Sequence, residues 1–184
     1  NIDKIVEVNI QISEAMSIDG GYDTILIVGP LPKAPGGRVT PDVAGYASLQ
    51  DLKSAGFAAD DPVYIGASKV FGQSPKPPAV MIAVQKLSSG STEKVDVTLD
   101  RAIGMPGWYC ICPVGLADEK VKEIIQWTET QNKLCGYIDK DPDKPIVDAG
   151  LYLRSFPFFP KETADQLEND IPAENLYGMA VAAA

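Results

Sequence analysis

The sequence contains no histidine among its 184 residues. Histidine supplies the base of Ser-His-Asp triads, many ligands of protein-bound zinc and the usual acid-base group near neutral pH. Its absence removes these three kinds of site together. Two carboxylate pairs, Asp60 with Asp61 and Glu168 with Asp170, are better explained as helix caps and solvated faces than as a glycosidase pair. The residue types therefore argue against an enzyme.

The chain is also poor in basic clusters and in long apolar stretches. It has 25 acidic and 16 basic residues, a net charge of −9. Without a basic cluster, binding to nucleic-acid phosphates is not expected. No apolar run approaches the roughly 20 residues that span a bilayer, and residues 1–4 lack the layout of a signal peptide. We expect no nucleic-acid partner, no membrane association and folding in a cytoplasm.

Cysteine is scarce, and its spacing does not suit a metal or a redox site. Cys110 and Cys112 alternate within an apolar run, and Cys135 stands alone in another. A Cys-x-Cys pair without a second pair is poorly spaced for tetrahedral zinc. We interpret all three as buried, reduced thiols on strands.

Two loops match ligand-binding motifs only in part. The loop at 29–37 has three glycines but neither the Gly-x-Gly-x-x-Gly nor the Gly-Lys-Ser/Thr pattern, and its prolines have no N–H to donate to phosphate. The aspartates of 139–143 imitate the start of a calcium loop, yet Gly150 stands at position twelve, where a bidentate glutamate belongs. We expect a solvated turn there. The sequence thus predicts no catalytic, cofactor-binding or metal-binding residues and no cofactor.

What is present is a globular composition, 45% hydrophobic and 22% charged, with alternating strand and helix signals. Residues 95–103 fit either a strand or a helix, and this alternative stays open; residues 86–94, rich in serine and glycine, are predicted as a linker. We predict an α/β domain over residues 21–184, with a mostly parallel sheet flanked by helices. The predicted strands lie at 24–28, 79–84, 108–112, 134–138 and 151–155, with an extended segment at 39–46, and the predicted helices at 48–55, 62–71, 118–130 and 175–184.

The first twenty residues carry a strand signal of their own. Four apolar residues alternate with polar ones, which predicts a strand with one apolar face; they are Val6, Val8, Ile10 and Ile12. Residues 13–21 form a polar connector that ends in glycine. We therefore predict an extended N-terminal β arm over residues 1–20. The arm could pair within its own sheet, which the local signals favour slightly, or join the sheet of a neighbouring subunit.

Three segments of the sequence resemble the contractile-tail sheath proteins of bacteriophages and prophages. They are Val-Gly-Pro-Leu-Pro-Lys-Ala-Pro at 28–35, Ser-Leu-Gln-Asp-Leu at 48–52, and Gln-Ser-Pro-Lys-Pro-Pro at 73–78, ahead of an apolar strand. Their order and spacing match the family, and the resemblance extends to about Asp139. None of the segments carries catalytic residues.

The resemblance implies a structural protein that polymerises with further copies of itself. Family members form stacked six-fold rings around a tail tube protein and contract by subunit rearrangement, without hydrolysing a nucleotide. The implied location is the virion tail, after assembly in the cytoplasm of the bacterial host. The resemblance favours the other alternative for the arm, pairing with the sheet of a neighbouring subunit, because family members extend such arms into adjacent subunits. It further implies a fragment that lacks the family's C-terminal sheath domain.

An alternative from another class stays open. A flavodoxin-like or Rossmann-like domain would bind a small molecule where its parallel strands end, near Gly29 or near Pro113-Val114-Gly115. The aromatic residues near the end of the predicted strands fit a core or a subunit contact; they are Tyr152, Phe156, Phe158 and Phe159.

Overall fold

The computed structural model describes residues 24–32, 43–88, 90–141 and 143–159. The predicted arm, with Val6, Val8, Ile10 and Ile12, lies outside the described residues, as do residues 39–42 of the predicted extended segment and the predicted helix at 175–184.

The described chain alternates strands and helices. Its strands are β1 (Ile25–Gly29), β2 (Ala44–Tyr46), β3 (Val80–Val84), β4 (Leu87–Ser88), β5 (Ser91–Thr92), β6 (Cys110–Pro113), β7 (Leu134–Ile138) and β8 (Ser155–Phe158). Its helices are α1 (Leu49–Ser54), α2 (Pro62–Phe71), α3 (Val95–Ile103) and α4 (Asp118–Glu129), with a short 3₁₀ helix at Ala149–Leu151.

Six of the strands form one sheet in the order β2-β3-β1-β6-β7-β8. β3, β1, β6, β7 and β8 are parallel, and β2 pairs with β3 in the antiparallel direction. β4 and β5 form a separate antiparallel hairpin. The prediction of an α/β domain with a mostly parallel sheet flanked by helices is confirmed.

The neighbouring parallel strands β1 and β3 are buried along their whole length. Helices on both faces of a parallel sheet leave no solvated side, so such strands are apolar throughout instead of alternating. On one face, β1 contributes Ile27 to a core cluster that includes Val63 of α2. On the other face, Leu26 packs in a cluster with Leu99 of α3 and Ile124 of α4.

Local signals explain where the first two helices begin. Ser48 accepts a hydrogen bond from the Asp51 N–H at 3.2 Å and so caps α1. Asp61 stands at the predicted cap position of α2, and Pro62 opens that helix. The Asp61 carboxylate, however, accepts the Ala58 N–H at 2.7 Å and makes no cap bond.

Residues 95–103, which fitted either a strand or a helix, form α3. The buried positions Val95, Thr98, Leu99 and Ala102 follow helical spacing, whereas Val97, which a strand would have buried, is 46% exposed. The predicted linker at 86–94 contains the β4–β5 hairpin. Gly90 has φ +83° there, a backbone conformation that glycine adopts without strain.

The prediction of a strand at 151–155 is wrong in its bounds, because β8 begins at Ser155 and continues through Pro157 to Phe158. The N–H groups of Leu153 and Arg154 bind the Glu129 carboxylate of α4, at 3.2 and 2.7 Å, before the chain enters the sheet. Pro157 is tolerated because β8 is the last strand of the described sheet, where one side of the strand needs no N–H donor.

Candidate functional site

The strand order identifies where a ligand would bind if this sheet followed the usual rule. Numbered along the chain, the five parallel strands have the order 2-1-3-4-5 that flavodoxin-like domains share. The chain passes from β1 to β3 on one side of β1, and after β3 it crosses to β6 on the other side. In such sheets the ligand lies outside the carboxyl ends of the two strands at this switch point. Here those ends are Gly29 and Pro113.

The crevice between these two strand ends is filled by valine side chains. A Cβ on Gly29 would lie 2.3 Å from Val63 Cγ2 and 3.2 Å from Val114 Cγ2. Val63 and Val114 are each 1% exposed. Val114 is held there by its N–H, which donates to the Val28 carbonyl at 2.8 Å. Gly29 is therefore required by close packing of protein atoms. Gly29 and residues 113–115, the two positions given above for a small-molecule site, lie together in this closely packed apolar region.

Beside this crevice, a polar cluster ties the β4–β5 hairpin to α3. The Glu93 carboxylate binds Arg101 and accepts the Thr98 hydroxyl at 2.8 Å. The Gln85 side chain donates to the Glu93 carbonyl at 2.8 Å, and the Gln85 N–H to the Gly29 carbonyl at 3.3 Å.

The electrostatics of the cluster match this structural role. Burial acts to raise the pKa of Glu93, but the hydrogen bonds from the Lys86 backbone and Thr98, with the charge of Arg101, outweigh it and leave the pKa lowered. A carboxylate with a lowered pKa stays charged near neutral pH, which suits an ion pair and not a general acid.

The three cysteines are free thiols, with Cys112 and Cys135 buried and Cys110 half-buried. Burial raises the pKa of all three, and the neighbouring sulfur atoms raise the pKa of Cys112 and Cys135 further. A neutral buried thiol is neither a good nucleophile nor a metal ligand. Within the described ranges no group of three histidine, cysteine or acidic side chains could hold a metal ion.

The aspartate-rich loop after β7 differs from its prediction in one respect. Asp139 is 1% exposed and accepts the Ile146 N–H at 2.9 Å and the Asp141 N–H at 3.4 Å. Asp141 in turn accepts the Asp143 N–H at 2.9 Å. Asp141 and Asp143 fit the expected solvated turn, but Asp139 is the buried anchor of the loop, since its oxygens are used by backbone donors.

The opposite end of the sheet exposes apolar side chains around β8. Leu151 and Leu153, just before the strand, are 73% and 86% exposed, and Phe156 and Phe159 are 47% and 43% exposed. Tyr152 and Phe158 are partly buried against the core. The sequence indicates the aromatic residues but not the two leucines, which the prediction assigns to a strand.

In the described part of the chain, no helix is long and apolar enough to cross a membrane. No protein-family model matches this sequence, and no curated protein matches it either.

Proposed function

We propose that this chain is a structural subunit of a contractile phage or prophage tail sheath. The proposal begins with the three segments that resemble that family. The described parts of these segments lie at the end of β1, at the start of α1 and in the turn between α2 and β3. They therefore belong to one continuous β-β-α-α-β unit and serve as its connections and caps.

The observation that carries a structural function is the closed switch point. Among the described residues, Val63 and Val114 pack closely against Gly29 and make this part of the switch point apolar. Gln85, whose N–H donates to the Gly29 carbonyl, ties the hairpin to the sheet through the Glu93 carbonyl. This arrangement supports a scaffold whose function lies on its surface.

The apolar residues before β8 support contact with other protein. Exposed leucines that adjoin an edge strand are a common feature of surfaces that bind a partner. Leu151 and Leu153 offer such a surface to a second copy.

In the assembly we propose, copies stack as six-fold rings around a tail tube protein in the virion, after assembly in the host cytoplasm. The arm with Val6, Val8, Ile10 and Ile12 joins the sheet of a neighbouring subunit and keeps the two linked while their orientation changes. Contraction draws on better packing between subunits and consumes no nucleotide, and the protein is not an enzyme.

Electron microscopy of purified protein, with and without residues 1–20, tests the proposal. The chain should form tubes or stacked rings, alone or on added tail tubes, and the shortened chain should remain a folded monomer. Strand addition supplies backbone hydrogen bonds that a free arm lacks, so its loss should abolish assembly and spare the core. Unfolding of the shortened chain, with tubes still formed by its soluble fraction, would contradict the arm's role.

A flavodoxin-like ligand-binding domain is a second candidate, favoured by the strand order alone. Equilibrium dialysis with flavin mononucleotide, NAD and ATP separates the two candidates. Stoichiometric binding that is lost on substitution of Gly29 would replace the sheath proposal.

A further inference from the structure

The backbone of β8, the last strand of the described sheet, has one side bonded to β7 and one side turned outward. β8 and β7 pair in the parallel direction. The Arg154 carbonyl accepts the Cys135 N–H at 2.9 Å, and the Phe158 carbonyl accepts the Asp139 N–H at 3.0 Å. In a parallel strand the N–H and C=O of one residue point to the same side, and the next residue points to the other side. The backbone groups of Phe156, midway between these two carbonyls, therefore also point toward β7.

The same alternation turns the backbone groups of Ser155 and Pro157 outward. Proline has no N–H, so Ser155 supplies the single outward N–H donor within β8. At residue 157 the proline ring takes the place of the missing hydrogen. The ring therefore points into the space that an added strand would need.

β8 has none of the other features that commonly protect an edge strand. Such strands are often very short or carry charged side chains, lysine above all. The four residues of β8 are uncharged, and Phe156 is 47% exposed. β2, the strand at the other end of the sheet order, has only three residues. Protection of β8 therefore depends on Pro157.

An antiparallel pair of two β8 strands shows how Pro157 would act. In such a pair, outward-facing residues that lie opposite each other exchange two N–H···O=C bonds. In the two registers that overlap β8 most, Pro157 lies opposite Ser155 or opposite Pro157 of the second copy. One bond is lost in the first case and both are lost in the second, so neither register gives a complete ladder.

We propose that Pro157 protects the sheet against strand addition at β8, so that two copies of the chain do not join edge to edge there. The protection lies in the backbone and leaves the Phe156 side chain exposed for contact with protein. The inference rests on the geometry of β8 and is independent of the sheath proposal. It adds to that proposal only that a strand from a neighbouring subunit does not join the sheet at β8.

Two substitutions in the full chain test this role. Pro157→Val restores the N–H with a residue that favours strands, and Pro157→Ala restores it with a small side chain. Pro78→Val is the matched control, because Pro78 is exposed in the turn between α2 and β3 and lies outside the strands. Sedimentation velocity measures association, and circular dichroism checks folding. Every variant is compared with the native chain under the same conditions, so assembly through other surfaces is common to all.

Both Pro157 variants should associate at about tenfold lower concentration than the native chain, and Pro78→Val should behave as the native chain does. Residue-resolved hydrogen exchange identifies the contact. In the associated variants the amides of residues 155 and 157 should exchange about tenfold more slowly than in the monomer. The amides of Phe156 and Phe158 point toward β7 and should not change, which makes them an internal control.

Three results would overturn the proposal. Folded Pro157 variants that associate no more than the native chain would show that the restored donor is not used. Stronger association without slower exchange at residues 155 and 157 would show that side chains make the contact. Loss of folding in both variants would show that Pro157 is needed by the fold itself.

Discussion

The carboxyl end of β1 and the approach to β8 are both apolar, but protein atoms enclose the first and leave the second open. At Gly29 even an added methyl group has no room, because Val63 Cγ2 would lie 2.3 Å from it. At Leu153, 86% of the residue is exposed. The same kind of residue therefore stabilises the fold in one region and remains available for contact in the other.

The strand order and the exposed apolar side chains indicate different parts of the molecule as a binding site. The strand order directs attention to the β1–β6 switch point, where flavodoxin-like domains bind ligands. The packing there is that of a core, and the unsatisfied apolar surface lies at the other end of the sheet. A strand order shared with ligand-binding domains therefore does not by itself give this chain a ligand site at the switch point.

A large effect should come from adding a methyl group at the carboxyl end of β1. Gly29→Ala should lower the free energy of unfolding by about 3 kcal/mol, because the new methyl group overlaps Val63. Val63→Ala removes the clashing atom, so the double variant should be more stable than the sum of the two single effects predicts. Urea denaturation of all three variants measures this coupling.

The matched control is Gly104→Ala, whose Cβ would lie an ordinary 3.8 Å from the Arg101 carbonyl. It should cost much less than Gly29→Ala. Equal costs at the two glycines would mean that the switch point has spare room, and the ligand-binding candidate would regain support.

The next effect concerns the ion pair beside the closed end. Glu93→Gln should cost about 2 kcal/mol at neutral pH, because it removes the charge that Arg101 and Thr98 bind. Since the folded-state pKa of Glu93 is lowered, its contribution is complete above the ordinary value of 4.5 and is lost as pH falls through the folded-state value.

The difference in unfolding free energy between the native chain and Glu93→Gln should therefore shrink below pH 4.5. Denaturation curves at neutral pH and at several more acidic values provide the measurement. Glu123→Gln is the control, because Glu123 lies on the surface of α4 and pairs with the exposed Lys120. A pH-independent difference for Glu93 would show that its charge is not what stabilises the hairpin.

A smaller effect on stability is expected from removing the contact between Glu129 of α4 and the backbone just before β8. Glu129→Ala should cost about 1 kcal/mol, because the N–H groups of Leu153 and Arg154 then bind water instead of a carboxylate. Hydrogen exchange at these two amides should accelerate, while exchange in β1 and β3 stays unchanged. Glu123→Ala, on the same helix, should leave both amides as they are; equal acceleration in the two variants would remove the special role of Glu129.

Much of the fold could be predicted because its signals are local. The unit from β1 to β3 consists of apolar runs bounded by proline and glycine, and Ser48 caps α1 through a bond to a residue three positions away. The helical spacing of apolar residues is enough to predict α4. Such patterns require no knowledge of distant parts of the chain.

The predictions that failed or stayed open depend on distant contacts. The residue at which β8 begins depends on Glu129, which binds backbone groups more than twenty residues away. Residues 95–103 fit two periods, and the helix buries Leu99 and Ala102 in one cluster with Leu26 of β1, which is distant in the sequence. Val63 and Val114 meet at Gly29 because β1 and β6 are neighbours in the sheet. The spacing of apolar residues along the sequence does not reveal which strands are neighbours, so this contact could not be predicted.

The smallest effect on stability is expected for Leu153→Ala, and Leu52→Ala provides the contrast. Leu153→Ala should change the free energy of unfolding by less than about 0.5 kcal/mol, because the side chain is 86% exposed and its backbone bond to Glu129 remains. Leu52→Ala removes the same atoms from a residue that is 0% exposed and should cost about 2–5 kcal/mol. If the approach to β8 is a subunit contact, Leu153→Ala should nevertheless weaken concentration-dependent association in sedimentation velocity. A Leu153→Ala chain as unstable as Leu52→Ala would mean that Leu153 stabilises the fold, and one that associates as well as the native chain would mean that Leu153 is not part of a subunit contact.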